Sequence, residues 1–305
     1  MRKAIYVFSG QGAQSVGMGK DLVEASSAAA IVFDKADSIL GWPVSEVCFE
    51  GPEEKLTSSQ FCQPAIYTMS VACLAAFNER YDDVKPVAVG GLSLGEFAAL
   101  SAAGTLELEA GLKLVAKRGE LMDKACKKTD GAMASVLGAP LETIKNVCAE
   151  CDVDIANHNS PGQIVISGEK PKVLDAVKML KERGIRKVIP LKVAGAFHSR
   201  LMKEAAAEFA EVLADVELKP PAVPVAQNVT GGFVEDVEEI RANLAKQVYG
   251  SVLWENCVKT MAESSDATRV VEFGPGEVLT GLVRRTIAHV STFNINKAEA
   301  LDRFE

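Results

Sequence analysis

The 305-residue sequence predicts an α/β protein with a mostly parallel sheet, helices on the faces of that sheet, and a smaller α+β unit set into it. Three observations predict it. Short apolar or β-branched runs recur along the chain, at Ala4 to Phe8, Pro86 to Gly90, Val223 to Asn228, Arg269 to Phe273 and Val290 to Phe293. Helical periodicity fills the stretches between them, which is the pattern of repeated βα units. After the polar stretch Lys127-Lys128-Thr129-Asp130 the rhythm changes to strand, helix, strand, strand, helix, strand. That βαββαβ order is ferredoxin-like.

Taken in order, the first run follows a basic Met1-Arg2-Lys3, but it is too short for a signal-peptide core and ends in Gly10-Gln11-Gly12. The longest apolar stretch, Ala65 to Phe77, is broken by Thr68 and Ser70 and falls short of the roughly 20 residues a membrane span needs. Pro86 to Gly90 leads into Gly91-Leu92-Ser93-Leu94-Gly95 and then a helical run, Glu96 to Ala103. A long helix from about Glu107 to Lys124 turns Lys113, Lys117, Glu120 and Lys124 to solvent. In the insert the strands are Ala132 to Leu137, Val153 to Asn157, Gln163 to Ser167 and Lys187 to Val193, with a turn at Ser160-Pro161-Gly162. Its helices are Leu141 to Glu150 and Pro171 to Arg183. The chain then re-enters the large unit and forms the helix Leu201 to Leu213. The expected division is 1–128 with 197–305 as the large unit and 129–196 as the insert, with a ligand cleft between them.

Composition narrows the function. Apolar residues make up 48% and charged residues 24%, ordinary values for a globular chain that exclude disorder and coiled coils. With 33 Lys and Arg against 41 Asp and Glu, the net charge of −8 argues against nucleic acid or an anionic membrane as partner. Seven cysteines, an odd number, suit a reducing cytoplasm better than a disulfide framework. Cys148 and Cys151 form a lone CxxC within a helical pattern, so no metal or redox site is expected there.

The chemistry centres on GxSxG. Set between a strand and a helix, its glycines permit a tight, strained turn that exposes the Ser93 hydroxyl, with the next backbone N–H aimed at the same space. The bland alternative is a glycine-rich turn with a capping serine. A nucleophilic serine needs a base, and the chain has three histidines. His289 leads into the last strand and reads as a surface or packing residue, and His158 sits at a turn in the insert. His198, after Gly195-Ala196-Phe197 at the junction of the two units, is the leading candidate. Arg118 aligns with Gly111, Leu114, Leu121 and Ala125 on the apolar side of its helix, where an unpaired charge is costly. It either makes a buried salt bridge or receives a substrate carboxylate in two parallel hydrogen bonds. Gly10-Gln11-Gly12-Ala13-Gln14 lacks the third glycine of a dinucleotide fingerprint, having Ser15 in its place, but can present an N–H to an oxyanion at a strand's carboxyl end.

These residues together resemble the malonyl-CoA:acyl-carrier-protein transacylase family. The resemblance spans nearly the whole chain, through Gly10-Gln11-Gly12-Ala13-Gln14, Ser93-Leu94-Gly95-Glu96-Phe97, Arg118 and Asn157-His158-Asn159-Ser160-Pro161-Gly162-Gln163. It continues in Phe197-His198-Ser199, Gln247-Val248-Tyr249 and Phe273-Gly274-Pro275-Gly276-Glu277-Val278-Leu279. It implies a hydrolase-like core with the ferredoxin-like insert, Ser93 as the acylated nucleophile and His198 as general base and then acid. It further implies the Gln247 carbonyl orienting the imidazole, backbone amides of Gln11 and Leu94 as the oxyanion hole, Arg118 on the malonyl carboxylate and Asn157 in substrate binding. Malonyl-CoA, a coenzyme A thioester, would be a substrate rather than a tightly bound cofactor, and a phosphopantetheinylated acyl carrier protein would be the acceptor. No metal, nucleic acid or membrane is implied, and the reading is of a monomeric, cytoplasmic, free-standing enzyme of fatty-acid biosynthesis. A discrete acyltransferase of a polyketide pathway would read alike.

Two departures stand out. Leu92 occupies the position before the nucleophile, where histidine is common in the family, and Arg200 occupies a position where proline is frequent. The Phe197-His198 pair resembles the malonyl-selective members of related polyketide acyltransferases, which implies a preference for malonyl over methylmalonyl. A serine hydrolase is disfavoured because no HGGG motif exists and no acidic residue between 93 and 198 stands out from a solvated background. A catalytically dead binding module is disfavoured because Ser93, His198, Arg118 and Gln11 are all retained. Candidate basic contacts for acidic partners are Arg186, Lys187 and Lys192 on the insert's edge, Arg200 and Lys203 beside His198, and Arg284 with Arg285.

Overall fold

The computed structural model describes residues 2–304. Among the described residues nine strands form two sheets: β1 Arg2–Phe8, β2 Val84–Gly91, β3 Gly131–Leu137, β4 Asp154–Ser160, β5 Gln163–Glu169, β6 Lys187–Pro190, β7 Val225–Ala226, β8 Arg269–Phe273 and β9 Ser291–Ile295. The first sheet has the order β7-β2-β1-β8-β9, and all of its pairings are parallel. The second has the order β4-β5-β3-β6 and is antiparallel throughout. The protein is therefore a mixed α/β molecule with one parallel sheet and one small antiparallel sheet.

β1 shows why the parallel sheet is buried on both faces. Side chains alternate across a strand, and here Ala4, Tyr6 and Phe8 enter one apolar core while Ile5 and Val7 enter another. The helices Ser59–Arg80 and Gly95–Ala102 lie on the first face, and Leu108–Lys128 packs against Ser59–Arg80 in the same core. Trp254–Glu263 and Val278–Thr286 cover the second. Ser59–Arg80 is buried around most of its surface, including the polar Gln63, a placement expected of a helix inside a core rather than on one. In the small sheet the alternation repeats: Ala134, Val136, Ile164 and Ile166 pack with the helices Leu141–Cys151 and Lys170–Glu182, while Met133 and Val165 join the large core.

Most strand ends shift by one to three residues from the sequence expectation, and two strands are markedly shorter than expected. Val223 to Asn228 contracts to the two residues of β7, since Pro224 has no N–H to give to a ladder and the chain turns at Gln227. Lys187 to Val193 contracts to β6 because it is an edge strand, paired only with β3; beyond Leu191, whose N–H reaches Met133, it has no further partner. His158 lies within β4 rather than at a turn, its N–H on the Val252 carbonyl at 2.8 Å. No helix among the described residues is long and apolar enough to cross a membrane. The parallel arrangement brings the loops after β1, β2 and β7 to one edge of the sheet, the usual place for a ligand in an open α/β sheet.

Candidate active site

β2 ends at Gly91 and the helix Gly95–Ala102 begins four residues later. Both glycines are required by contact: a Cβ on Gly91 would lie 2.0 Å from the Gly95 carbonyl carbon, and one on Gly95 would lie 2.0 Å from the Phe8 oxygen. Between them Ser93 takes φ 52°, a left-handed conformation that costs an L-residue about 1–2 kcal/mol. Its surroundings hold it there. The Asn228 side chain takes the place of a neighbouring strand, accepting from the Ser93 N–H at 2.6 Å and donating to the Gly91 carbonyl at 2.8 Å. Gln247 Nε2 donates to the Ser93 carbonyl at 3.0 Å. Asn228 is itself fixed by Glu96, whose carboxylate accepts the Asn228 N–H at 2.7 Å and Gln227 Nε2 at 3.2 Å.

Glu96 corrects the sequence reading that no acidic residue in this stretch leaves the solvated background, for it is 0% exposed. Burial pushes its carboxyl up to about 7. It is not a triad acid, since it holds Asn228 and not the histidine. Asn228→Leu should expose the Asn228 contribution. Two backbone groups at the elbow would lose their partners at about 1–3 kcal/mol each, so denaturant unfolding should show a loss of about 2–6 kcal/mol, with slower acylation of Ser93.

His198 approaches from the other side. Its Nε2 lies 2.8 Å from Ser93 Oγ and its Nδ1 2.8 Å from the Gln247 carbonyl oxygen. A carbonyl only accepts, so Nδ1 carries the hydrogen and Nε2 is left bare toward the serine hydroxyl. Gln247 ends the helix Val237–Gln247, and the last carbonyls of a helix have no partner within it. That end also carries the negative pole of the helix dipole, which favours a cation on the imidazole. Burial, together with the Arg118 charge, holds the His198 pKa down at about 4.

Arg118 lies on the Leu108–Lys128 helix and is 1% exposed. The salt bridge considered from sequence is absent: among the described residues no carboxylate pairs with it. Nη1 donates to Gln63 Oε1 at 2.8 Å, and Nη2 donates to Gln247 Oε1 at 2.9 Å and to Ser93 Oγ at 3.0 Å. Its Nε has no partner, and the guanidinium lies 5.5 Å from the Phe97 ring centroid. Burial lowers its pKa to about 10, opposed by the Glu96 charge.

Ser93, His198, Arg118 and Gln247 thus form one hydrogen-bonded group. Gln11 joins it through Gln63, whose Nε2 lies 3.4 Å from Gln11 Oε1. Among the described residues the backbone N–H groups of Gln11 and Leu94 make no hydrogen bond. Asn157 is buried on β4, which bridges to Val252, and among the described residues no hydrogen bond ties its side chain to the group. His289 is exposed and apart from it. Beside His198 opens a cleft of about 460 Å³ lined by Asp154, Ile155, Arg200, Lys203, Tyr249 and Ser251. Arg200 is not the free cation expected there, because Asp152 and Asp154 both pair with it.

The sequence reading missed Gln63, Asn228, Glu96 and the side chain of Gln247. A lone glutamine in the apolar run Cys62-Gln63-Pro64-Ala65-Ile66 was a signal available for Gln63. A polar Gln227-Asn228 pair at a strand's carboxyl end was one for Asn228.

A strained serine, an oriented neutral histidine and an unpaired arginine on one oxygen define a serine acyltransferase site, and residues 5–302 match the acyl transferase domain family. A malonyl CoA-acyl carrier protein transacylase of Bacillus subtilis (strain 168) is 40% identical, over 99% of this chain and 96% of that one. The crystal structure of a malonyl-CoA:acyl carrier protein transacylase from Xanthomonas oryzae pv. oryzae superposes with a TM-score of 0.93 at 37% identity, covering 100% of this chain and 99% of that one. A malonyl-transacylase solved in complex with its type II polyketide acyl-carrier protein gives a TM-score of 0.93 at 35% identity, covering 99% of this chain and 98% of that one. The chain belongs to the malonyl-CoA:acyl-carrier-protein transacylase family.

Proposed function

We propose that this enzyme moves the malonyl group from coenzyme A to the phosphopantetheine thiol of an acyl carrier protein through a malonyl-Ser93 intermediate, supplying fatty-acid biosynthesis. The observation that carries this reading is the buried, carboxylate-free Arg118 bonded to the same Ser93 oxygen that His198 engages.

In the first half-reaction Ser93 Oγ attacks the thioester carbonyl while His198 Nε2 takes the hydroxyl proton, and the N–H groups of Gln11 and Leu94 stabilise the oxyanion. Collapse breaks the C–S bond, and His198 returns the proton to the departing coenzyme A thiolate. The second half-reaction repeats these steps in reverse with the carrier thiol as nucleophile, its proton passing to His198 and then to Ser93. Arg118 binds the free malonyl carboxylate throughout, which places the thioester carbonyl against Ser93.

Asn157 lines the acyl side of the cleft in this reading, and Phe197 favours malonyl over methylmalonyl. Leu92, half-buried against the second core, alters packing behind the elbow and leaves the reaction intact. The large unit, 1–128 with 197–305, is read as hydrolase-like and the insert, 129–196, as ferredoxin-like; the separate sheets support that division. The enzyme is read as a cytoplasmic monomer with no tightly bound cofactor.

Purified enzyme mixed with malonyl-CoA should gain one malonyl group on Ser93 by intact-mass and peptide mapping, and should lose it when phosphopantetheinylated carrier protein is added. No adduct on Ser93 would overturn the reading. Running the same assay with methylmalonyl- and acetyl-CoA measures selectivity.

A further inference from the structure

We infer that Gln63 is a specificity-determining positioning residue: it holds Arg118 with a neutral acceptor, so the guanidinium keeps an uncompensated charge for the substrate carboxylate. The inference rests on the carboxylate role proposed for Arg118 and adds the reason that role is available. Gln63 is 0% exposed in the wall of an apolar helix, where a buried amide is costly unless every polar atom is used. Its orientation is determined. A guanidinium only donates, so Oε1 must face Arg118 and Nε2 must face Gln11. Gln11 Nε2 in turn donates to Ser59 Oγ at 3.1 Å. The amide chain therefore ties the carboxylate site to the loop that offers the oxyanion N–H.

The contrast with the commoner arrangement carries the argument. A buried guanidinium is ordinarily paired with a carboxylate, and a glutamate at position 63 would be nearly the same size and could make the same 2.8 Å contact. Instead, Arg118 has two glutamine oxygens and a serine hydroxyl as its partners, and its Nε has none. Of the ionisable groups nearby, Glu96 is engaged with Asn228 and Gln227, and His198 is turned to Ser93 and Gln247. Every direct acceptor on Arg118 is neutral, so geometry is held without the charge being cancelled.

The test compares acylation of Ser93 by malonyl-CoA and acetyl-CoA, as kcat/KM by rapid-quench intact mass, in wild type, Gln63→Glu and Gln63→Met. Gln63→Glu should lower the malonyl value by about 100-fold or more and the acetyl value by less than about tenfold, because a paired Arg118 no longer attracts a carboxylate. Much of the malonyl loss should appear in KM. Gln63→Met, which removes the acceptor without adding charge, should lower both values together and leave their ratio within about threefold of wild type. Gln247→Glu, which sets the same charge on the other arm of Arg118 while keeping the backbone carbonyl, should reduce the ratio as Gln63→Glu does, and it serves if the latter does not fold. An unchanged malonyl-to-acetyl ratio in the folded glutamate variants, or a drop in that ratio in Gln63→Met as large as theirs, would overturn the inference. Arg118→Ala separates the two levels: if it keeps the malonyl preference, the carboxylate role of Arg118 itself fails; if it loses the preference while Gln63→Glu keeps it, only the role of Gln63 fails.

Discussion

His198→Ala should slow acylation of Ser93 by malonyl-CoA by about 10⁴-fold or more, with little change in melting temperature. The size follows from what the ring does. Among the described residues it is the sole base within reach of Ser93 Oγ, at 2.8 Å, and the serine hydroxyl is a weak nucleophile until its proton has somewhere to go. Residual activity would come from the oxyanion N–H groups and from substrate binding. The pH dependence provides a second reading of the same group. Only the neutral ring can accept the proton, and burial with the nearby Arg118 charge brings its pKa from 6.5 down to about 4. The acid limb of kcat/KM in the wild-type enzyme should therefore lie near pH 4 rather than at the ordinary histidine value of 6.5. A limb at 6.5 or above would mean that the free enzyme does not hold the ring in the buried, cation-facing position described here.

Parts of this site were legible before any coordinates because they depend on local chain geometry. GxSxG is a statement about close approach, and the 2.0 Å encounters that a Cβ would cause at Gly91 and Gly95 are its physical content. Arg118 was legible because helical spacing places it on an apolar side, and it is indeed among the largest fully buried side chains. What periodicity could not supply is the pairing of a buried group once it is inside. It offered a salt bridge or a substrate as the fate of Arg118, and the partners proved to be Ser93 and the side chains of Gln63 and Gln247, on helices far from it in the sequence. Glu96 was overlooked for a related reason: an acidic residue in the first turn of a helix ordinarily reads as exposed and favourable to the helix dipole, whereas this one turns inward to hold Asn228. The role of the Gln247 carbonyl came from family resemblance alone. Its physical cause, an orphan acceptor at a helix end, appears only when the helix is seen to stop at that residue.

Arg118→Ala should divide the two kinds of acyl donor. Against malonyl-CoA the loss of a desolvated charge contact should cost about 2–5 kcal/mol, a fall in kcat/KM of roughly 30- to 5,000-fold. Against acetyl-CoA the change should be smaller, because that donor has no carboxylate to lose and suffers only what both donors share, the hydrogen bonds of Arg118 to Ser93 Oγ, Gln63 and Gln247. An equal loss for both donors would assign the residue to holding the nucleophile rather than to reading the carboxylate. The same variant makes a further demand. Arg118 is the second cause, after burial, of the low His198 pKa, so removing the cation should raise that pKa and move the acid limb of acetyl transfer upward. A structural defect alone would lower the rate at every pH and leave the limb where it was. The combination of a donor-dependent loss with an upward-shifted limb is therefore the signature of one guanidinium acting on both the substrate's charge and the base's proton.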